Sequence, residues 1–405
     1  MDLPSPPAAL PVSPSRLRRL LGLTHRWAGL ATAAFLFLAG LTGAVIAFDH
    51  EVDGWLSPAF YVAESAEPAR DPLDLADALE ASNPALRVVY LPLSVRPGAA
   101  LSVWVAPREG ADPLGFDQVA LDPGTGRRQA ARQWGAAALD RTALVPFLYE
   151  LHHSLHLPGT LGTLLMGAVA VVWTLDCFVA LALSFPSRAL WRRSFQVSWR
   201  TGGRRLLFDL HRSGGVWLWI PLLVLAITAV SMNLEREVVR PLVGAVSTLR
   251  PDPWTRAAPE GQDGDPLLPR REAVAAARSE ADRRGWGAPA GGLFDVADRG
   301  TYAVGFFEPG MDHGDGGLGN PWLFIDRRTG AVVDALVPGE GSAGDLFLQA
   351  QFPLHSGRIA GGPGRALVAL LGLAIAGLSA TGVALWARRR LVALRRRRME
   401  AAHGA

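Results

Sequence analysis

Long apolar stretches alternate with polar segments along the chain, and four of the apolar stretches are long enough to cross a bilayer. They are residues 27–48, 157–185, 214–234 and 366–387. The second stretch carries one charge, Asp176, and the other three carry none. Because a helix needs about 20 apolar residues to cross the hydrocarbon core, the pattern predicts an α-helical membrane protein with a four-span bundle. The first stretch is longer than the roughly 7–15 residues of a signal-peptide core, which disfavours a cleaved leader.

Arginines orient the predicted spans. All 40 basic residues are arginine, and 18 of them lie in three clusters, before the first span, between the second and third, and after the fourth. The positive-inside rule then places both termini and the middle loop in the cytoplasm. The predicted organisation is a disordered leader (1–15), span one (16–48), an external segment (49–156), span two (157–185), a cytoplasmic loop (186–213), span three (214–234), a second external segment (235–363), span four (364–387) and an arginine-rich cytoplasmic tail (388–405).

Composition removes several classes of function. The net charge is only +3 and the arginines flank apolar runs, so no basic face for nucleic acid is indicated, and membrane lipid is the expected surrounding. The single cysteine, Cys177, rules out a disulfide framework, a CxxC zinc site and covalent haem attachment through CxxCH. Any haem in this protein is therefore expected to be held non-covalently.

The chain also reads as a pseudo-duplication. THRWAGL (24–30) and LHRSGGV (210–216) both carry His-Arg and a glycine four positions after the histidine. VALDPGTGRR (119–128) and LFIDRRTGAV (323–332) share Asp-x-x-Thr-Gly after an apolar run, which suits a tight turn between strands. A plausible helix precedes each turn. We therefore expect one small α+β module in each external segment.

The histidines separate by depth. His25 and His211 lie at the cytoplasmic mouths of spans one and three, whereas His152, His153, His156 and His355 lie at the external mouths of spans two and four. A 22-residue span rises about 33 Å, so two well-separated levels are predicted in one bundle. Ionisable groups at membrane depth are candidates for function, and facing bundle helices are a usual place for cofactor ligands.

Haem suits this arrangement best. Paired neutral imidazoles can ligate haem iron on both faces, which favours electron transfer over oxygen chemistry. Zinc usually takes three or four protein ligands, so two histidines per level are too few without carboxylates; copper is an alternative for the HHSLH cluster. Four arginines near the histidines could pair with haem propionates, or could serve topology and headgroup contact: Arg26, Arg212, Arg358 and Arg365.

Several longer motifs carry a resemblance to a known family. They are HRWAGL with LTGAVIAF in span one, LHHSLHLPG with VVWTLDCFVALALSFP in span two, RRLLFDLHRSGG before span three, and residues 341–386 around span four. They resemble the PepSY-associated transmembrane family, which includes bacterial iron-regulated membrane proteins and ferric-siderophore reductases of the inner membrane. The resemblance implies two haem b groups, PepSY-like external modules, and electron flow from the cytoplasm to a periplasmic ferric siderophore.

The resulting hypothesis is a haem-dependent ferric-siderophore reductase of the bacterial inner membrane. Haem iron is assigned to His25 with His211 and to His152 with His355; the resemblance favours His152, and His153 and His156 remain alternatives. The electron donor is a quinol, a soluble flavin or a separate reductase, because no dinucleotide motif is present. The rival hypotheses are a membrane-anchored PepSY protein that binds peptides or inhibits proteases, and a copper or haem carrier.

Three further residues have an expected role. Asp176 is expected to bond a Trp, Ser or Thr of a neighbouring helix, with proton relay as the alternative. His50 is a spare ligand candidate at the end of span one. His313 lies in the glycine-rich run PGMDHGDGGLGN and reads as a surface-loop residue, with substrate or metal contact as the alternative.

Overall fold

The computed structural model describes residues 16–255, 267–312, 314 and 316–403. The predicted leader and His313 lie outside the described residues. These residues form twelve α-helices: α1 (Arg16–Ile46), α2 (Asp49–Leu56), α3 (Pro72–Ser82), α4 (Leu144–Ser154), α5 (Leu161–Ser184), α6 (Trp191–Ser194), α7 (Gly203–Trp217), α8 (Trp219–Asn233), α9 (Arg240–Gly244), α10 (Arg270–Arg283), α11 (Ala343–Ser356) and α12 (Gly361–His403). They also form eight β-strands: β1 (Leu86–Pro92), β2 (Leu101–Pro107), β3 (Gln118–Leu121), β4 (Arg128–Arg132), β5 (Ala290–Val296), β6 (Thr301–Phe306), β7 (Trp322–Asp326) and β8 (Val332–Leu336).

Among the described residues, three helices are long and apolar enough to cross a membrane: α1, α5 and α12. The predicted third span is instead a bent pair, in which α7 and α8 meet at 71°, so four spans are reached only if this pair counts as one. The bend has a local cause. Pro221 has no N–H to donate to the Trp217 carbonyl, and its ring would clash with that carbonyl in a continuous helix. Helix α7 therefore begins inside the predicted cytoplasmic loop and ends at the bend.

All eight strands join in one antiparallel sheet with the order β4-β3-β2-β1-β5-β6-β7-β8. Each half of the chain contributes one helix followed by four strands in sequence, α3 with β1–β4 and α10 with β5–β8. The halves meet where β1 pairs with β5, with Leu91 opposite Leu293. The predicted helix-and-hairpin units are thus extended to four strands each and share a single sheet.

Helices α3 and α10 cover one face of this sheet. Their small and apolar side chains, such as Ala76 on α3 and Ala277 on α10, are fully buried against strand residues that include Val103 and Leu323. Arg271 of α10 bonds both Asp71 and Asp74 at the start of α3, which joins the two helices along their exposed side. The sheet and its two helices therefore share one continuous core.

The repeated Asp-x-x-Thr-Gly motif forms the same turn in both halves. Asp122 accepts hydrogen bonds from the backbone N–H groups of Gly124 and Thr125, and from the Thr125 hydroxyl. Asp326 accepts the corresponding bonds from Arg328 N and from Thr329 N and Oγ1. The carboxylate replaces backbone partners within the turn, as expected for Asp at this position.

The described chain divides into two compact units. One comprises the described residues of 1–38, 168–227 and 374–405, and contains His25 and His211. The other comprises those of 39–167 and 228–373, and contains the sheet, His152 and His355.

Candidate functional site: two histidine pairs

His25 of α1 and His211 of α7 form the first pair. Their ring centroids lie 6.1 Å apart and the ring planes are tilted by 47°. The Nδ1 of His25 lies 3.0 and 2.9 Å from the two carboxylate oxygens of Asp176 on α5. The Nδ1 of His211 lies 3.0 Å from the Thr381 hydroxyl and 3.1 Å from the Leu378 carbonyl of α12. Each ring is thus held through Nδ1 by a second helix.

His152 and His355 form the second pair, on the last turns of the short helices α4 and α11. Their ring centroids lie 6.2 Å apart and the planes are inclined by 61°. The Nδ1 of His152 lies 3.0 Å from the Thr42 hydroxyl of α1, and the Nδ1 of His355 lies 2.9 Å from the Thr228 hydroxyl of α8. The two pairs therefore share the same ring separation and the same use of Nδ1.

Two of the threonine partners indicate the tautomer of the rings that they contact, His152 and His211. Thr42 donates its own hydroxyl proton to the Ala39 carbonyl, and Thr381 donates to the Leu378 carbonyl. Each hydroxyl oxygen therefore accepts from the imidazole, so Nδ1 carries the proton. The lone pair then lies on Nε2, which is the usual state of a histidine that binds a metal through Nε2.

Desolvation keeps the second pair neutral. It lowers the pKa of His152 to about 3, with a smaller contribution from the neighbouring His355. It also lowers the pKa of His355 to about 4. Because neutral imidazole is the metal-binding form, both rings are ready to coordinate throughout the physiological range.

The ring separations match ligation of one metal ion from both sides. An imidazole nitrogen binds a transition metal at about 2 Å, and the ring centroid lies about 1 Å beyond that nitrogen. Two rings on opposite sides of an ion therefore have centroids roughly 6 Å apart, close to the observed 6.1 and 6.2 Å. No group of three or more metal-binding side chains is found in the part of the chain that the structure describes. Each pair therefore offers two imidazole rings as possible metal donors.

A cavity of about 810 Å³ adjoins the first pair within its own unit. Its wall includes apolar rings and small residues, among them Trp173, Trp219, Gly29 and Gly215. Apart from the adjacent residues and the backbone of its own helix turn, no atom lies within 4 Å of the point where a Cβ would stand on Gly29 or Gly215. Five arginines also line the cavity: Arg18, Arg26, Arg212, Arg389 and Arg390. The cavity therefore offers space for a flat, apolar molecule with anionic groups at its edge.

The second pair is positioned by tight corners rather than by long helices. After α4, Leu155 and His156 adopt φ of +55°, and after α11 Gly357 adopts φ of +76°. A glycine of the next helix packs against each corner: a Cβ on Gly162 would lie 1.8 Å from the Ser154 oxygen, and one on Gly364 would lie 2.0 Å from the Gly357 oxygen. Both contacted residues lie two positions after the paired histidine. The corners therefore determine where His152 and His355 stand.

The other histidines of the HHSLH cluster point to different partners. His153 lies 3.4 Å from a carboxylate oxygen of Glu150 and against the Tyr149 ring. His156 stacks on Phe147 and bonds its carbonyl through Nε2 at 2.9 Å. The three imidazoles of the cluster therefore do not converge on one point. His50 packs edge-on against Tyr61 and joins neither pair.

Two of the arginines suggested for propionate pairing have protein partners instead. Arg358 lies 3.2 Å from Asp49, and Arg365 bonds the Glu51 carboxylate and the Ala47 carbonyl. The hydrogen bond from Arg365 outweighs burial and holds the pKa of Glu51 below its usual range. These arginines therefore attach α2 to the start of α12. Arg26 and Arg212 do line the cavity, and Arg212 also pairs with Asp209 at 3.2 Å.

Sequence reasoning missed the oxygen partners of the four histidines. Asp176 bonds His25 and not the Trp, Ser or Thr that was expected. A signal was present in the spacing, since Thr42 lies 17 positions after His25 and Thr228 lies 17 positions after His211. A second signal is the dipeptide Thr-Gly, at 42–43 and 381–382, which contacts one histidine in each case.

Comparison with known proteins identifies the family and leaves the activity open. No curated protein matches the sequence. The family model described as the PepSY-associated TM region matches residues 23–389, and so covers both histidine pairs and the whole sheet. The chain therefore belongs to the family defined by the PepSY-associated TM region, as its motifs predicted.

Proposed function

We propose that this protein is a di-haem b membrane protein that passes electrons from the cytoplasmic side to a periplasmic ferric siderophore and so releases iron. The observation that carries the proposal is the pair of matched sites. Each has two imidazoles with centroids 6.1 or 6.2 Å apart, and every ring is bonded through Nδ1 to an oxygen.

In this proposal His25 and His211 hold one haem and His152 and His355 hold the other, each through Nε2. Haem with two histidine ligands supplies a one-electron couple with no open iron position, which suits electron transfer. The residues around the rings have the task of keeping them neutral, oriented and in one tautomer. Asp176 and the three threonines provide that orientation.

The lining of the cavity beside His25 supports a haem at the first pair. Its tryptophans and leucines match an apolar plane, and its arginines match propionate charges. Gly29 and Gly215, each four positions after a paired histidine, leave open space on the same wall. A side chain at either glycine would occupy part of the volume that a macrocycle needs.

The proposed direction places both termini in the cytoplasm and the sheet in the periplasm of a bacterial inner membrane. One electron from a quinol or a cytoplasmic reductase converts one ferric ion of the siderophore to ferrous. The ferrous ion is less charged and softer than the ferric ion. The oxygen donors of the siderophore therefore bind it less tightly, and iron is released.

The test is an optical spectrum of the detergent-purified full chain, oxidised and then reduced, with haem counted per chain. We expect low-spin spectra and two haems. His25→Ala and His152→Ala should each retain one haem, whereas the matched control His153→Ala should retain both. If His25→Ala and His152→Ala keep two haems, the ligand assignment is wrong.

The acceptor is tested separately with reduced, haem-loaded protein and a ferric siderophore. Oxidation of the haem together with capture of ferrous iron by a chromogenic chelator is the expected result. A protein that remains reduced contradicts the siderophore as acceptor. A colourless protein from cells grown with ample haem contradicts the whole proposal and favours a PepSY-type membrane anchor that binds peptides.

A further inference from the structure

Asp176 differs from every other partner of the four paired histidines. Its two carboxylate oxygens lie 3.0 and 2.9 Å from His25 Nδ1. The partners of the other three rings are uncharged: the hydroxyls of Thr42, Thr228 and Thr381, and main-chain carbonyls. Within the described residues, His25 is therefore the one paired histidine whose Nδ1 meets a negative charge.

The same contrast appears when the two halves of the chain are aligned so that His152 corresponds to His355. Asp176 lies 24 positions after His152, and Ser379 lies 24 positions after His355. The second half of the chain thus has a neutral residue where the first half has a carboxylate. The carboxylate is also well enclosed, with 13% of its side chain exposed. A charge in such surroundings acts more strongly than one in water.

A carboxylate that accepts the Nδ1 proton makes the imidazole a stronger donor to a metal at Nε2. A stronger donor stabilises the ferric state relative to the ferrous state, so the reduction potential falls; hydrogen bonding to the axial ligand is one of the means by which proteins set this potential. Neutral hydroxyls and carbonyls produce the same effect only weakly. The two pairs, although alike in geometry, therefore differ in electronic character.

We infer that Asp176 sets the direction of electron transfer by making the His25–His211 site the more reducing of the two. This inference rests on the haem binding proposed above. With haem bound at both sites, one electron would pass from the His25–His211 site to the His152–His355 site; the iron of the first haem would go from ferrous to ferric and that of the second from ferric to ferrous. No proton would have to move in this step, because each Nδ1 proton would stay on its ring nitrogen and keep its hydrogen bond to the same oxygen.

The experiment is a redox titration of the haem-loaded full chain, followed optically, on wild type and three variants. Asp176→Asn removes the charge, and Asp176→Thr copies the partner that the other rings use. Thr228→Val is the matched control, because it removes a hydrogen bond from His355 without changing any charge. We expect either Asp176 variant to raise one midpoint potential by at least 59 mV, a tenfold change in the one-electron equilibrium constant. The midpoint potential of the other haem should stay unchanged. Thr228→Val should shift the potential of the His152–His355 site by less than the Asp176 variants shift that of the His25–His211 site.

The outcomes separate this inference from the proposed function. A wild-type protein without haem overturns the proposed function and with it this inference. Two bound haems with unchanged potentials in both Asp176 variants overturn the inference alone, as do equal shifts of both potentials. If one Asp176 variant fails to bind haem, the potentials of the other variant test the inference. If neither variant binds haem while wild type does, Asp176 is needed to form the site and does not tune its potential, which also overturns the inference.

Discussion

The two halves of the chain carry the same parts in the same order, yet they support their histidines differently. In each half a histidine lies on a helix 17 positions before a threonine, and a second histidine ends a short helix. In the first half, Asp176 is the partner of a paired histidine, and the corner after the short helix is formed by two non-glycine residues with positive φ. The second half uses Thr381 and a corner at Gly357.

This comparison distinguishes the features that both histidine pairs share from the features that differ between them. Both pairs keep the same ring separation and the Nδ1 contact, so these two features belong to the site itself. The charge of the partner and the residue type at the corner differ, so these features are available to make the two sites unequal. Each prediction below changes one side of the comparison and leaves the other as a reference.

The largest effect is expected for Gly364→Ala. Its Cβ would lie 2.0 Å from the Gly357 oxygen, and because that atom is backbone the corner must move. His355 lies two residues before the corner and would move with it. We expect loss of the haem at the second pair and destabilisation of about 3 kcal/mol, the upper end of overpacking costs, measured by haem content and thermal unfolding.

Gly377→Ala is the control for this change, because it lies on the same helix and no other atom stands within 4 Å of its Cβ position. Alanine in an open helix position is expected to be neutral or slightly stabilising. Two haems and wild-type unfolding in Gly364→Ala would contradict the role assigned to the corner.

A smaller effect is expected for Thr42→Val, which keeps the shape of the side chain and removes the oxygen beside His152. Loss of such a partner typically weakens metal binding by about 10–100-fold. The decrease should appear in haem titrations at the second pair only. Thr174→Val is the control, because its hydroxyl bonds the Ala170 carbonyl of its own helix. Equal binding in both variants would show that Thr42 does not orient the ring.

Part of this architecture follows from local sequence. The apolar stretches predict α1, α5 and α12, and the Asp-x-x-Thr-Gly repeat predicts the two turns. The four histidines singled out by their depth are the four whose rings meet in pairs, although their role as haem ligands stays a prediction. These features depend on short-range patterns, such as span length, turn chemistry and the position of a residue at a span end.

The rest depends on contacts between distant segments. Asp176 meets His25 across 151 positions, and no local pattern states that these two helices pack with those faces together. The junction of β1 with β5 likewise joins strands about 200 positions apart. The bend before α8 could have been predicted from a local feature, Pro221. The continuous apolar stretch around this proline instead predicts one straight span.

The smallest effect is expected for the difference in stability between the two repeated turns of the sheet, because the first turn has additional bonds from one residue. Ser65 adds two hydrogen bonds to Asp122, from its N–H at 2.6 Å and its hydroxyl at 2.8 Å, over a separation of 57 positions. Asp122→Ala should therefore destabilise the protein by about 1–3 kcal/mol, and more than Asp326→Ala does. Thermal unfolding of both full-length variants, followed by circular dichroism, measures the difference; equal midpoints would contradict it.

The same turn predicts a pH dependence with a definite sign. Burial alone would raise the pKa of Asp122, but bonds from Thr125 and Ser65 outweigh burial and hold its pKa well below the usual range. A carboxylate with a depressed pKa in the folded state stabilises the protein fully above its unfolded pKa of about 3.9, and this stabilisation is lost as the pH falls below that value. The gap in unfolding midpoint between wild type and Asp122→Ala should therefore be constant from pH 7 to about 5 and should narrow below about pH 4. A gap that stays constant on acidification would mean that the turn is held by contacts other than the charged Asp122 carboxylate.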